Sequence, residues 1–277
     1  MPTKISVLTS VYNGENYIAE CVDSVLNQTF RDFEYIVLDD GSTDQTLGIL
    51  EKYTDSRLRV VHQENLGIPK SLNKGVSLCH SDLVAHLDAD DYVRSDWLGK
   101  QFEFMNKNKD VAFCGSRFEE LINGSLYPQG YPFLEMDQEI RDNLCHMNIV
   151  PHSFVIFRKA LFLKVGGYDP KLVIAHDYDL WIRLLEQGKG HNWDGSLGVV
   201  RIHESSTSKK KERTMIREVF IVQWRAYRKL GGSFWKMVGS LSKRALAWFV
   251  SPVIRSYFRA NIRKSGGGSS EKSCYSL

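Results

Sequence analysis

Apolar and polar positions follow two different periods along the first hundred residues. Short apolar runs of strand length are separated by segments in which apolar residues recur every three or four positions, as on an amphipathic helix. The predicted strands are Ile5–Leu8, Glu34–Leu38, Leu58–Val61 and Leu83–Leu87, and the predicted helices lie around Ile18–Leu26, Leu47–Leu50 and Leu72–Leu78. This alternation predicts an α/β fold in which helices flank a mostly parallel sheet. In such folds, ligands bind at the carboxyl ends of the strands.

The pattern is less regular after residue 100. It predicts helices around Trp97–Met105 and Leu180–Leu185, and strands at Val111–Phe118, Ser153–Phe157 and Gly195–Ile202. Residues 119–150 show no period from which an element can be assigned. Two further helical patterns, over residues 210–230 and Phe234–Trp248, predict a helical extension that follows the sheet.

The C-terminal region combines basic and aromatic residues. Between Val219 and Ser270 there are ten Lys and Arg residues and no Asp or Glu, so the net charge of +3 leaves −7 for the rest of the chain. This composition is typical of an amphipathic helix on anionic lipid, and residues 233–264 are predicted to contact a membrane surface. The alternative is a helix docked on the sheet domain with a solvated basic face. No nucleic acid partner is expected, because the aromatic residues form an apolar face and not a stacking platform.

Composition is that of a globular protein, with 43% hydrophobic and 25% charged residues. The N-terminal apolar run, Ile5–Ser10, is too short for a signal-peptide core or a membrane span. Five scattered cysteines favour free thiols in a reducing cytosol. Residues 265–277 are rich in Gly and Ser and are predicted to be disordered. We therefore expect a cytoplasmic protein that is peripheral at the inner face of the membrane.

The candidate chemistry is concentrated after the fourth strand, where Asp88, Asp90 and Asp91 follow an apolar run. If the strand continues in extended form, Asp88 and Asp90 point the same way, about 7 Å apart. Oxygen ligands at this spacing suit Mg²⁺ or Mn²⁺, and Mg²⁺ is usually shared between one or two carboxylates and substrate phosphates. The alternative is an acidic turn after a buried strand.

Polar residues also follow the first two strands. Asp39 or Asp40 is placed to accept hydrogen bonds from a nucleobase or ribose, with Tyr12 packed on the base, whereas Asp44 is better explained as a turn residue. Ser42 or Thr43 is the predicted N-cap of the next helix. The first turn lacks Gly-x-Gly-x-x-Gly, and no Walker loop occurs, which argues against two common nucleotide-binding folds.

Six short motifs resemble, in order and at suitable intervals, those of family 2 glycosyltransferases. They are Thr9-Ser10-Val11-Tyr12-Asn13, Asp39-Asp40-Gly41-Ser42-Thr43-Asp44, Asn65-Leu66-Gly67 with Asn73-Lys74-Gly75, Leu87-Asp88-Ala89-Asp90-Asp91, Asp177-Tyr178-Asp179-Leu180-Trp181, and Arg201-Ile202-His203-Glu204-Ser205-Ser206. The resemblance implies a GT-A fold with a Rossmann-like sheet. It also implies inverting transfer of a sugar from a nucleotide diphosphate donor, usually with Mg²⁺ or Mn²⁺. We accordingly predict a catalytic domain over residues 1–208, with a nucleotide-binding half (1–100) and an acceptor half (101–208), and a basic helical extension over residues 209–264.

The resemblance also implies roles for individual residues. Carried over by position, four residues would contact the base and ribose of the nucleotide, namely Ser10, Tyr12, Asp39 and Asp40. Asp88 would contact the ribose or the metal, and Asp90 would contact the metal. His203 would lie near the diphosphate, and Asp177 would be the general base. Inversion needs a base opposite the leaving diphosphate, and a positioned carboxylate contributes about 10²- to 10⁴-fold.

The surroundings of Asp177 leave alternatives open. Asp177 and Asp179 are two apart, so on a helix they do not face each other, and only one is expected to reach the acceptor. Asp177 is alternatively a helix N-cap. The family often has Glu where this chain has His176, which bears on the acceptor class or on the pKa of the base. His152 is either a residue of the acceptor pocket or structural, and a structural role is expected for His62, His80 and His191.

These residues together predict transfer from a UDP-sugar to a hydroxyl of a glycan or lipid-linked acceptor in the synthesis of a surface polysaccharide. One rival function is that of a nucleotidyltransferase with a similar core. Another is that of a non-catalytic protein that binds nucleotide sugars, although the presence of Asp88, Asp90 and Asp177 argues against it.

Overall fold

The computed structural model describes residues 3–203 and 212–249. Within these ranges nine strands form one sheet. The strands are β1 (Ile5–Val11), β2 (Phe33–Asp39), β3 (Leu58–His62), β4 (Leu83–His86), β5 (Tyr92–Val93), β6 (Val111–Ile122), β7 (Ser125–Pro128), β8 (Val155–Arg158) and β9 (Lys189–Arg201). The helices are α1 (Ile18–Leu26), α2 (Thr46–Leu50), α3 (Ile68–Leu78), α4 (Trp97–Lys107), α5 (Asp137–Leu144), α6 (Lys159–Lys164), α7 (His176–Leu185), α8 (Glu212–Leu230) and α9 (Phe234–Phe249). The predicted α/β class and the C-terminal helices are confirmed.

The strands lie in the order β3-β2-β1-β4-β8-β6-β9-β5, and β7 pairs with β6. The first four are mutually parallel, because a helical crossover separates each from the next along the chain. Beyond β4 the sheet is mixed. β8 runs antiparallel to both β4 and β6, whereas β9 runs parallel to β6. The carboxyl ends of β1, β2 and β4 therefore share one edge of the sheet.

The unassigned stretch after residue 118 contains a hairpin and a helix. β6 continues to Ile122 and returns as β7 through Asn123 and Gly124, which have φ values of 50° and 79°. Two left-handed residues in a two-residue loop suit the right-handed twist of paired strands, and Asn-Gly is the preferred sequence for such a turn. This dipeptide was the signal in the sequence for the hairpin.

The apolar residues of β1 show how the two faces of the sheet are covered. Ile5 and Val7 are buried on the face covered by α1 and α4, whereas Leu8 is buried on the other face, against α3. This is the alternation expected of a strand with helices on both sides. Four cysteines are buried as free thiols, namely Cys21, Cys79, Cys114 and Cys145.

The extension beyond the sheet packs against α7. Val219, Val222 and Ala226 of α8 are buried in the same cluster as Leu180 and Trp181 of α7. None of the helices within the described ranges is both long enough and apolar enough to span a lipid bilayer. The predicted tail at 265–277, and the parts of the predicted extension at 209–211 and 250–264, lie outside the described residues.

Candidate active site

The loops after β1 and β2 are tied to each other. The amide of Asn13 donates to Oγ of Ser42 over 2.9 Å, and Oδ1 of Asn13 accepts from the amide of Thr43 over 2.8 Å. Ser42 and Thr43 therefore join the two loops, and the prediction that one of them is the N-cap of the next helix was wrong. α2 begins later, at Thr46, whose amide donates to Oδ1 of Asp44 over 3.0 Å. The turn role expected for Asp44 agrees with this contact.

Asp39 and Asp40, at the end of β2, are buried and hold neighbouring loops. Oδ2 of Asp39 lies 2.7 Å from Nδ1 of His62. Asp40 accepts from Nε2 of Gln63 over 2.6 Å and from the amides of Leu66 and Gly67 over 2.9 and 3.0 Å. Both oxygens of Asp40 are thus bonded to the loop that precedes α3. The His62 contact also shows that this histidine lies beside a predicted nucleotide-binding residue.

The backbone around these carboxylates requires glycine at one position. Gly41 has a φ of 77°, and a Cβ on it would come within 2.8 Å of the amide nitrogen of Asn65.

Ser10 is half-buried near the end of β1, and Tyr12, in the next loop, is 52% exposed. The exposed phenol ring is therefore available for stacking on a flat ligand.

The acidic segment after β4 forms a turn instead of continuing as a strand. β4 ends at His86, and the amide of Asp91 donates to the carbonyl oxygen of Asp88 over 3.2 Å. The extended geometry predicted for Asp88 and Asp90 was therefore wrong. Asp88 and Asp90 nevertheless remain close enough for the charge of Asp88 to act on Asp90.

Asp88 lies against two histidines and a serine. Its Oδ1 is 3.0 Å from Nε2 of His86 and 3.1 Å from Nδ1 of His152, and its Oδ2 accepts from Oγ of Ser153 over 3.2 Å. Burial alone would raise the pKa of Asp88, but the charge of His152 and the hydrogen bonds from both histidines hold that pKa well below its usual range. Asp88 is therefore a stable anion, and 38% of its side chain is exposed.

Asp90 and Asp91 have the opposite electrostatic character. Burial and the charge of Asp88 raise the pKa of Asp90, although its Oδ2 lies 2.8 Å from Nε2 of His203. Burial and the charges of Asp90 and Asp88 raise the pKa of Asp91 well above its usual range. Three carboxylates are thus held close together at an energetic cost that a bound cation would relieve.

A group of buried aromatic residues lies behind Asp88. The rings of His86 and His152 are 4.0 Å apart between centroids, and His152 meets His176 edge-on at 5.2 Å. Nε2 of His152 lies 3.1 Å from the hydroxyl oxygen of Tyr168. Burial lowers the pKa of His152, but Asp88 and, more weakly, Asp177 outweigh that effect and raise it. By contrast, burial and the charge of His152 lower the pKa of His176 to about 4.

Asp177 and Asp179 lie in the first turn of α7 but differ in their surroundings. Asp179 is fully buried, and it forms ion pairs with Arg183 (Oδ2 to Nε, 2.7 Å) and with Arg225 of α8. Asp177 is half-buried and accepts a hydrogen bond from Nδ2 of Asn148 over 2.9 Å. The N-cap of α7 is Ala175, so Asp177 is not the N-cap. Of the two carboxylates, Asp177 is the one open to a reacting group.

The residues present fit a divalent cation. Asp88 and Asp90 offer the carboxylate oxygens that Mg²⁺ and Mn²⁺ prefer. A second set of donor atoms, from His86, Asp88 and His152, lies within 4.8 Å of one another. This mixed set was not foreseen, and it shares Asp88 with the predicted one.

Two residues of the site, Ser153 and Arg201, could not be given a role from the sequence. Ser153 donates to Oδ2 of Asp91 over 2.5 Å, and its Oγ also lies 3.2 Å from Oδ2 of Asp88. Arg201 fixes the acidic turn through its backbone amide, bonded to Asp91, and its Nε, bonded to the carbonyl oxygen of Asp90. Ser153 lies opposite Asp88 only because β8 pairs antiparallel with β4, a register that no local pattern reveals.

Comparisons with known proteins identify the family of the chain. Residues 6–166 match Glycosyl transferase family 2. An uncharacterized glycosyltransferase of Rickettsia typhi is 32% identical over 214 residues, which cover 74% of this chain and 65% of that protein. The chondroitin synthase of Pasteurella multocida is 32% identical over 222 residues, which cover 79% of this chain and 22% of the synthase. The chain thus spans less than two thirds of the length of either relative.

A solved structure shows the same fold. S. aureus TarS 1-349 in complex with UDP-GlcNAc superposes with a TM-score of 0.69 at 22% identity, and the match covers 88% of this chain and 73% of that one. The sheet with its flanking helices therefore has the GT-A fold. With this fold, and with the family match over more than half of its length, the chain belongs to glycosyltransferase family 2.

Proposed function

We propose that this glycosyltransferase moves a sugar, with inversion, from a nucleotide-diphosphate sugar to a hydroxyl of a glycan or lipid-linked acceptor. The observation that carries the proposal is that Asp88 contacts His152 over 3.1 Å and that Asp177 lies close enough to raise, with Asp88, the pKa of the same histidine. Donor-side and acceptor-side carboxylates must flank the reacting centre, because the acceptor hydroxyl, which gives its proton to the base, attacks the sugar on the face opposite the leaving diphosphate.

Asp177 is the general base in this proposal. It is half-buried, bonded to one amide donor, and free of the arginine pairs that neutralise Asp179. Asp177→Asn should lower the transfer rate by about 10²- to 10⁴-fold and leave nucleotide binding unchanged. Asp179→Asn is the matched control, because it should reduce thermal stability instead. Transfer that persists in Asp177→Asn would show that another group is the base.

Asp88 and Asp90 would hold Mg²⁺ or Mn²⁺, and the metal dependence is part of the proposal. A bound cation would neutralise charge on the departing diphosphate, an effect of several kcal/mol in comparable sites. His203 would lie beside the diphosphate, because its Nε2 is bonded to Asp90. Arg201 fixes the turn that presents both carboxylates.

The nucleoside would bind at the ends of β1 and β2, and the proposed donor is a UDP-sugar. Tyr12 would stack on the base and Ser10 would contact it at the strand end. Asp39 and Asp40 would line the base and ribose while they hold the surrounding loops. The likeness to the TarS complex with UDP-GlcNAc supports uridine as the base.

Calorimetric titration with UDP, GDP and CDP tests which nucleotide the sugar donor carries. Each titration is done once with Mn²⁺ and once with a chelator. We expect that only UDP binds among the three nucleotides, and that its binding requires Mn²⁺. Preference for GDP or CDP would change the donor and keep the enzyme class. If none of the three nucleotides binds, the protein does not use nucleotide sugars. If the protein releases diphosphate from a nucleoside triphosphate, it is a nucleotidyltransferase.

We further propose that the extension places the enzyme at the cytoplasmic face of a membrane, where a lipid-linked acceptor would lie. Phe220, Trp224 and Trp235 of α8 and α9 are 53%, 45% and 79% exposed. Arg228 and Lys236 are exposed near them. Exposed aromatic and basic residues together are typical of a helix that lies in an anionic interface.

Sedimentation with vesicles tests this contact. Wild-type protein should bind phosphatidylcholine vesicles that contain an anionic lipid, and removal of residues 233–277 should abolish the binding. The double variant Trp224→Ser/Trp235→Ser should bind weakly, whereas Tyr127→Ser, at a tyrosine 50% exposed on β7, is the control. Undiminished binding of the double variant would exclude this face as the membrane contact.

A further inference from the structure

One segment of the chain contacts both carboxylates of the proposed reaction. Residues 148–153 connect α5 to β8, and at one end Asn148 donates to Asp177 over 2.9 Å. At the other end, His152 and Ser153 contact Asp88. The donor-side and acceptor-side carboxylates are thus both in contact with side chains of one short segment.

The contacts at Asp88 fix both oxygens of its carboxylate. Nδ1 of His152 lies 3.1 Å from Oδ1 and 3.3 Å from Oδ2. Oγ of Ser153 is 3.2 Å from Oδ2, and the amide of Asp88 donates to the same hydroxyl over 3.0 Å. His152 is itself held at Nε2 by the hydroxyl of Tyr168. A carboxylate bonded at both oxygens has its plane fixed, and metal ligands are commonly oriented in this way by neighbouring groups.

The backbone that follows is held in an unusual conformation. Phe154 has a φ of 67°, which is rare for a bulky residue and costs conformational energy. Its amide donates to the carbonyl oxygen of His86 over 2.9 Å, and its carbonyl oxygen accepts from Nε2 of Gln101 over 2.6 Å. The buried ring packs so closely on Gly198 that a Cβ there would lie 2.3 Å from it. This conformation delays the start of β8 to Val155, two residues after the predicted start at Ser153, and it turns Ser153 towards Asp88.

Asn148 has a separate task at the other end of the segment. Its Nδ2 donates to Oδ2 of Asp177, and its Oδ1 accepts from the amide of Val150 over 3.4 Å. The hydrogen bond to Asp177 leaves Oδ1 of that carboxylate for the acceptor hydroxyl. One side chain thus links the base to the segment that orients Asp88.

We propose that residues 148–153 set the geometry between donor and base, with His152 and Ser153 as positioning residues for Asp88 and Asn148 as the positioning residue for Asp177. The inference rests on the function proposed above. It predicts different effects at the two ends of the segment. A change at His152 should weaken donor binding, whereas a change at Asn148 should lower turnover.

The variants are chosen to remove one hydrogen bond each. His152→Leu removes the donor, whereas His152→Asn keeps an amide nitrogen at the same number of bonds from the backbone as Nδ1. The Kd of UDP with Mn²⁺, measured by calorimetry, should rise about 10- to 100-fold in His152→Leu and recover in His152→Asn. Thermal unfolding of both variants verifies that they are folded. An unchanged Kd in folded His152→Leu would overturn the role of His152.

Asn148→Leu should lower kcat about 10- to 100-fold and leave the donor KM and the Kd of UDP unchanged. Asn148→Asp retains the acceptor for the Val150 amide and places a second carboxylate beside Asp177, so it should also lower kcat. If Asn148→Asp keeps full kcat while Asn148→Leu loses it, Asn148 only supports the loop and the inference is wrong at this end.

The outcomes separate this inference from the function on which it rests. If wild-type protein binds UDP and transfers sugar, and Asp177→Asn is inactive, but both positioning variants behave as wild type, the inference fails and the function stands. If wild-type protein neither binds a nucleotide diphosphate nor transfers sugar, the proposed function itself fails.

Discussion

Two strand ends of this protein carry adjacent acidic residues, and they use them differently. At the end of β2, Asp39 and Asp40 are buried, and Asp40 is bonded to Gln63, Leu66 and Gly67. At the end of β4, Asp88 and Asp90 are partly exposed, and histidines from distant parts of the chain contact them. The first pair is bonded into its loops, whereas the second pair is open to a ligand. Similar motifs can therefore differ in their surroundings from one strand end to the other.

The largest effect that would test this comparison is the loss of charge at the β4 end. Asp90→Asn should reduce sugar transfer by about 10²- to 10³-fold, because a cation held there supplies several kcal/mol. The melting temperature should hardly change or should rise, because Asp90 and Asp88 repel each other. Initial rates and thermal unfolding measure the two quantities. A large loss of stability with normal transfer would reverse the assignment of the two strand ends.

The equivalent change at the β2 end should act mainly on stability. Asp40→Asn places an amide group among three donors that now bond a buried carboxylate, so at least one loses its acceptor at a cost of about 1–3 kcal/mol. The melting temperature should fall by several degrees, and differential scanning calorimetry measures it. Asp44→Asn is the control, because Asp44 is a half-buried carboxylate in the loop that follows, and it should lower the melting temperature less. An unchanged melting temperature in Asp40→Asn would contradict the structural role.

The smallest effect concerns pH and the buried histidines found only at the β4 end. Burial and the charge of His152 lower the pKa of His176 from 6.5 to about 4. Between these values the unfolded chain binds the proton that the folded chain excludes, so stability falls as the pH falls, by about 2 kcal/mol at pH 5.

His176→Leu should remove this contribution, because leucine does not bind a proton. Among the described residues Nε2 of His176 has no hydrogen-bond partner, so the variant loses only the contact of Nδ1 with the carbonyl oxygen of Val173 over 3.2 Å. Urea unfolding at pH 7.5 and pH 5 measures the difference. Equal acid sensitivity in wild type and variant would show that His176 does not titrate in this way.

The sequence was informative where structure is local. Each strand in the first hundred residues is followed by polar residues, so β1 to β4 and the shared edge of the sheet could be predicted. The Asn123-Gly124 turn was also present in the sequence, but the flanking pattern was too irregular to draw attention to it.

The remainder depends on contacts between distant residues. Ser153 meets Asp88 across 65 positions because β8 is inserted antiparallel beside β4. His203 meets Asp90 across 113 positions. The acidic segment forms a turn where an extended form was predicted, and in this turn its carboxylates meet these distant partners. The roles of Ser10, Tyr12, Asp39, Asp40, Asp88, Asp90, Asp177 and His203 remain predictions.

Glu218 of α8 limits how this enzyme could be recombined with its relatives. Its carboxylate accepts from the amides of Val173, Ile174 and Ala175, with distances between 2.7 and 3.0 Å, directly before the helix that carries Asp177. A chimera joined at residue 208 would leave those three amides dependent on whatever helix the new partner supplies. α8 is therefore not an exchangeable module, and a graft that omits an acidic residue at the position of Glu218 should disturb the base before it disturbs the sheet.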